Sequence, residues 1–276
     1  MTVAFVLSGG ASLGAIQVGM AKALEAEGVS PELIVGTSVG AINGGWLAGG
    51  GGADELDQIW RSLRRSDLFP MRPIHGWRAF TGRSANLVPN TRLRRLLGRH
   101  LHFARLEDAA VPLMVVAADA QSGREVILRE GPSVAVIPAV FPPVLVGDRL
   151  LLDGGVVNNT PISKAIDAGA TEVWVLSTGY SCALPAPRTT TISMAMHAVA
   201  LLVQQRLVLE TRSRSYPVPV HLVPPPCPIS VTPTDFSHTD ELIDRADAGT
   251  PQWLGNGRPH AMPLLPDAHA HLHVTA

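Results

Sequence analysis

Cysteine is scarce in this chain: Cys182 and Cys227 are the only two in 276 residues. They could pair, but two cysteines do not make a disulfide framework, and a reducing cytoplasm is the expected compartment. No apolar run approaches 18 residues, so no membrane-spanning helix is expected. No basic region precedes the first apolar stretch, which itself reads as a core strand, so no signal peptide is expected. Internal repeats are absent. No nucleic-acid recognition motif is present, and nucleic acid is not an expected partner. No carboxylate-and-histidine pattern completes a metal site. His269, His271 and His273 alternate as ligands on a strand would, but they read more simply as a frayed tail. What is present is a chain that is 46% hydrophobic with a formal net charge of −1, ample for one large core.

The most informative stretch is Gly36-Thr37-Ser38-Val39-Gly40. An apolar run, Leu33-Ile34-Val35, leads into it, and Ala41-Ile42-Asn43 reads as the first turn of a helix. That is the strand–turn–helix context of a nucleophile elbow. There a serine in strained backbone presents its hydroxyl, and the glycines let strand and helix pack closely. The plainer reading of the motif alone is a glycine-rich turn with serine as the helix N-cap.

Upstream, Val3 to Leu7 reads as a buried strand running into Ser8-Gly9-Gly10-Ala11-Ser12-Leu13-Gly14, then a helix from Ala15 to Glu27. Small residues at such a turn free backbone N–H groups, and the helix start adds its positive dipole end. The loop suits an anion, either a phosphate or the oxyanion of an ester under attack. It is no Walker loop, because no Lys-Ser/Thr follows Gly14. It does approximate a dinucleotide fingerprint through Gly9, Ala11 and Gly14, with Glu32 as a ribose ligand. Downstream, Arg149 to Leu152 reads as a strand terminated by Asp153-Gly154-Gly155, which by itself is an Asp-Gly turn.

In combination, the Gly-Gly-x-x-x-Gly loop, the G-x-S-x-G elbow and the Asp-Gly-Gly turn, in that order, resemble the patatin-like phospholipases. The likeness extends to Val111–Asp119 with its Ser122-Gly123-Arg124 turn, to Ile137–Val144, to Asn159-x-Pro161 and to Asp235-Phe236-Ser237. It is good over 1–50 and 106–180, and unclear over 55–105 and the last twenty or so residues. The resemblance implies a serine acyl hydrolase acting on lipid carboxylic esters, without cofactor or metal. It implies Ser38 as nucleophile and Asp153 as general base, a dyad rather than a triad. Gly9, Gly10 and Ala11 would form the oxyanion hole, chiefly through the N–H groups of Gly10 and Ala11. Gly14, Gly36, Gly40, Gly154 and Gly155 would be supporting positions. The chain departs from the family at Ala11, where a third glycine is common, and at Leu13, where arginine is frequent. Alanine still offers its N–H provided the backbone there avoids positive φ. The missing arginine shifts expectation from strict phospholipid specificity towards neutral esters.

Alternating strands and helices imply an α/β fold, a mainly parallel central sheet with helices on both faces. Further strands are expected within 111–152, partly antiparallel, and at Thr171–Leu176. Further helices are expected near Ser163–Ala168 and from Ile192 to Leu209. Residues 1–276 read as a single domain, with 55–105 as a cap or lid and about 255–276 as an extended tail. Between Arg61 and Arg105 lie eleven arginines and one acidic residue, Asp67, and Trp60, Phe69, Trp77, Phe80 and Phe103 are interleaved with those arginines. This stretch reads either as a lid making peripheral contact with an anionic membrane or as a solvated basic face over core aromatics, the second being favoured. Two other functions stay open: a thioesterase or transacylase using one of the ten histidines, and a dinucleotide-binding oxidoreductase using the Gly9–Gly14 turn.

Overall fold

A computed structural model describes residues 1–63, 91–136, 143–178, 191–213, 216–227, 229, 231–233 and 235–256. Its strands are β1 (Val3–Leu7), β2 (Leu33–Thr37), β3 (Leu113–Asp119), β4 (Glu125–Leu128), β5 (Val144–Val146), β6 (Arg149–Asp153), β7 (Glu172–Leu176) and β8 (Val220–Val223). They form one sheet in the order β5-β6-β3-β2-β1-β7-β8, with β4 also on β3. From β3 to β8 the neighbours are parallel, whereas β4, β5 and β6 run antiparallel to the strands they join. The expected mixed sheet is therefore present.

The central strands are largely apolar because both faces of the sheet are covered. Along β1, Phe5 and Leu7 face one core and Ala4 and Val6 the other. On the first face pack α1 (Gly14–Ala26), α2 (Val39–Ala48), α3 (Ala53–Ser62), α4 (Thr91–His100) and α7 (Thr239–Gly255). On the second lie α5 (Ile162–Asp167) and α6 (Thr191–Ser213), reached through Ile162, Ala165 and Leu207. The result is three layers: helices, sheet, helices.

The expected cap segment is tied to the body at both ends. Leu56, Ile59 and Trp60 of α3, Leu93 and Leu97 of α4, and Phe103 are all in the first core. Arg95 and Arg99 of α4 are exposed. Phe69, Trp77 and Phe80 lie outside the described residues, as do the terminal histidines and most of Ile137–Val144. Cys182 also lies outside them, while Cys227 is disulfide-bonded.

Candidate active site

The register of β3 brings the two candidate catalytic residues together. Val116 pairs with Thr37 of β2 along one edge. On the next residue, Ala117, β4 takes the opposite edge through Val126, and Asp153 of β6 takes the edge that β2 has just left. Two strands thus arrive from opposite directions along the same edge of β3. One ends at Thr37 and the other at Asp153. The following residue of the first is Ser38, and the two side chains meet at the junction. Gly154 continues past Val116 so closely that a Cβ there would collide with the Val116 carbonyl oxygen.

Ser38 has φ 56 and ψ −126, a conformation costly for a residue with a Cβ. It is held by a tight turn. A Cβ on Gly36 would lie 2.6 Å from the Ala41 Cα, and one on Gly40 would collide with the Leu7 carbonyl. The Ser38 carbonyl accepts from the N–H groups of Ala41 and Ile42 at 2.9 and 3.3 Å, so α2 begins at once. The Ser38 side chain makes no cap hydrogen bond, which leaves its hydroxyl free to face Asp153 and removes the N-cap reading.

Burial pushes the Asp153 carboxyl above its ordinary range, and the Gly155 N–H and the Ser38 hydroxyl only partly oppose it. The Gly155 N–H donates to Oδ1 at 2.7 Å. Among the described residues no histidine acts on this carboxyl.

Above the pair runs the Ser8–Gly14 loop. The Gly9 N–H donates to the Asn159 carbonyl at 3.3 Å, so it is engaged. Among the described residues no acceptor takes the N–H of Gly10 or Ala11. The Gly9 carbonyl accepts from Thr178 Oγ1 at 2.7 Å and from Asn159 Nδ2 at 3.3 Å. A Cβ on Gly9 would lie 2.5 Å from Asn159 Oδ1 and 3.1 Å from Ser38 Cβ, so the glycine eases the close passage of the loop beside the serine. The condition set for Ala11 is not met, since its φ is 52. A Cβ in this left-handed region costs about 1–2 kcal/mol relative to relaxed backbone. The neighbours hold Ala11 in that conformation, and its N–H is still unclaimed.

Beside the loop opens a pocket lined by Ala11, Val39, Ile42, Trp46, Leu56, Ile59, Trp60, Leu63, Leu93, Leu96 and Phe236. Every lining side chain is apolar in character, and the pocket begins at Ala11, itself a candidate oxyanion donor, and at Val39, the neighbour of Ser38. Sequence reading named Trp60 only as an aromatic near the arginines, and it missed the wall formed by α2, α3 and α4.

Other sequence candidates fall elsewhere. Glu32, the supposed ribose ligand, accepts the Val3 N–H at 3.0 Å. That is the start of β1, a whole strand away from the Gly9–Gly14 turn. Asp119 caps its own turn, accepting from the Gln121 and Ser122 N–H groups. Thr178, Gln17 and Asn43 carry hydrogen bonds of the site and were not singled out. Gln17 and Asn43 are polar residues inside otherwise apolar helical runs, the one signal that pointed to them.

Residues 5–130 match the model of the Patatin family, described as patatin-like phospholipase. The chain is 27% identical over 186 residues to patatin-like phospholipase domain-containing protein 6 of Mus musculus, and equally to that of Homo sapiens. It is 25% identical over 188 residues to lysophospholipase NTE1 of Mycosarcoma maydis. The first of these matches takes in 64% of this chain and 14% of the mouse protein, so the chain spans only a small part of such relatives. Among solved structures, VipD from Legionella pneumophila is 13% identical, with a TM-score of 0.46 over 92% of this chain and 67% of its own. Residues 5–130, a little under half of the chain, thus carry a likeness to the patatin-like phospholipase family. The family match reaches across the stretch 55–105 that sequence reading left without a clear likeness, and it stops before Asp153.

Proposed function

We propose that this protein is a serine acyl hydrolase that cleaves lipid carboxylic esters with a Ser38–Asp153 dyad. The observation that carries the reading is the junction on β3, where a strained serine faces a half-buried carboxyl whose pKa is raised. A serine hydroxyl needs a base within reach, and a carboxylate serves when its pKa is lifted towards the working pH. Asp153 takes the proton as Ser38 Oγ attacks the acyl carbon. The carbonyl oxygen becomes an oxyanion facing the N–H groups of Gly10 and Ala11, each donor worth about 3–4 kcal/mol in the transition state. Collapse expels the alcohol, which takes a proton from Asp153. Water, activated by the same carboxylate, then frees the acid from the acyl-enzyme.

The apolar pocket beside Ala11 suits the acyl chain. A thioester substrate fits the same chemistry, and among the described residues no histidine acts on Asp153, which favours the dyad over a histidine triad. The oxidoreductase reading loses its ribose ligand at Glu32 and leaves the elbow without a purpose. Leu13 packs against the core in place of an arginine, and we expect neutral esters to be turned over at least as well as phospholipids. Peripheral contact with anionic lipid is consistent with α4, which lines the pocket with Leu93 and Leu96 and exposes Arg95 and Arg99. Among the described residues no helix is long and apolar enough to cross a membrane.

The test is hydrolysis of nitrophenyl esters and lysophospholipid by the purified protein and by Ser38→Ala. The variant is expected to stay folded and lose turnover. Substantial turnover by folded Ser38→Ala would end the proposal.

A further inference from the structure

Beneath the loop lies a chain of three buried polar side chains that the chemistry above does not use. Gln17 of α1, Asn43 of α2 and Trp60 of α3 are 1%, 0% and 3% exposed. The Gln17 amide donates to the Ser8 carbonyl at 2.8 Å and to the Leu176 carbonyl at 2.9 Å. The Asn43 amide donates to the Gly14 carbonyl at 3.0 Å and to Gln17 Oε1 at 2.9 Å. Trp60 Nε1 donates to Asn43 Oδ1 at 2.8 Å. Every amide N–H of both side chains is used, and each amide oxygen has a donor. A buried polar network this complete is rigid, and it costs much to disturb.

Its attachment points are specific. Ser8 and Gly14 are the two ends of the loop, and Asn43 sits on the helix that Ser38 begins. The Leu176 carbonyl also accepts from the Ser8 N–H at 3.3 Å, so the first end is pinned to β7 as well. A non-glycine residue persists at positive φ only where its surroundings over-determine it, and Ala11 at φ 52 lies between these two anchors. Trp60 adds a second contact, since a Cβ on Gly14 would lie 3.0 Å from its ring. The same ring lines the apolar pocket beside Ala11.

We propose that Gln17, Asn43 and Trp60 are positioning residues for the oxyanion loop. They fix its two ends against the elbow helix so that the Gly10 and Ala11 N–H groups converge on the acyl carbonyl at Ser38. Because Trp60 belongs to both the network and the pocket wall, the acyl chain packs directly against the brace. This inference rests on the hydrolase reading for its kinetic consequence, but its structural content stands apart from it.

The experiment compares the parent with Gln17→Met, which keeps shape and removes three hydrogen bonds, and Trp60→Phe, which removes one and keeps a ring in the wall. With a nitrophenyl ester, kcat is expected to fall about tenfold or more in Gln17→Met, short of the loss of a whole donor. KM should stay within about twofold. The affinity of a trifluoromethyl ketone, which mimics the tetrahedral oxyanion, should fall in step with kcat/KM. Trp60→Phe should show the same pattern more weakly. A merely structural role lowers the melting temperature and leaves kcat and inhibitor affinity of the folded fraction at parental values, and that result overturns the proposal. If Gln17→Met does not fold, Trp60→Phe decides by the same criterion. The φ-sensitive amide coupling of Ala11, read by NMR, is independent of turnover. If Ala11 keeps its parental coupling and amide exchange in both variants, the brace is refuted even if the protein hydrolyses esters. Ester turnover that survives Ser38→Ala sinks the hydrolase reading alone.

Discussion

Gly40→Ala tests the elbow through an effect whose sign opposes ordinary helix chemistry. Gly40 lies in α2, where exchanging an interior glycine for alanine normally stabilises by about 1 kcal/mol. Here the new Cβ meets backbone. It would collide with the Leu7 carbonyl oxygen and lie 2.7 Å from the Ser8 carbonyl oxygen. Neither atom can rotate aside, so α2 must move off the end of β1. Overpacking of this kind costs about 1–3 kcal/mol, and a backbone obstacle belongs at the upper end. The net expectation is a loss of about 2 kcal/mol, or a melting temperature lower by about 4–8 °C for a domain of this size. The shift also carries Ser38 away from the Gly10 and Ala11 N–H groups. A misplacement of about 1 Å costs on the order of 100-fold in rate. Thermal melts and ester kinetics on the purified variant provide both readings. A Gly40→Ala protein as stable as its parent, or more so, refutes the close approach of α2 to β1 on which the elbow depends.

Ala11→Gly should act in the opposite direction: relief of positive φ exceeds the added freedom of the unfolded chain, for a net gain of about 0.5 kcal/mol measurable by urea titration. Turnover should hold near the parental rate, because the N–H is retained. Asp153→Asn should abolish turnover yet raise the melting temperature at neutral pH. The raised carboxyl pKa means that Asp153 favours folding when protonated and loses that contribution as pH rises through its folded value. The gain of Asp153→Asn over the parent should shrink in melts taken at progressively lower pH, and a variant that melts below its parent at neutral pH contradicts the sign. For the same reason kcat/KM of the parent should rise through that elevated value as the base ionises. Replacing Arg95 and Arg99 with glutamine should weaken sedimentation with phosphatidylserine vesicles at low salt and leave turnover of a soluble ester unchanged, since exposed charge is screened within about 10 Å at 0.1 M salt. Equal sedimentation of parent and variant favours a plain solvated face.

Much of the candidate site was legible because its motifs are local. The loop, the elbow and the Asp-Gly-Gly turn each announce themselves within a few residues, and the mixed sheet follows from apolar runs separated by helical periods. The pairing of Ser38 with Asp153 was not legible in that way. It depends on β6 entering the edge of β3 where β2 stops, a long-range register that no local pattern encodes. The positive φ of Ala11 was not legible for a related reason. Alanine prefers negative φ by itself, and only the anchors around Ser8 and Gly14 impose the opposite. Gln17 and Asn43 escaped notice because a single amide in an apolar helix shows no partner in sequence. Trp60 was read among arginines, whereas the fold turns it inward to Asn43 and the pocket.

The most direct test of the central claim is to locate the adduct of a fluorophosphonate by peptide mass spectrometry. The account predicts a single adduct on the peptide containing Ser38, absent from Ser38→Ala and formed much more slowly by Asp153→Asn. A folded parent that takes no label, or takes it on another residue while hydrolysing esters, would contradict it.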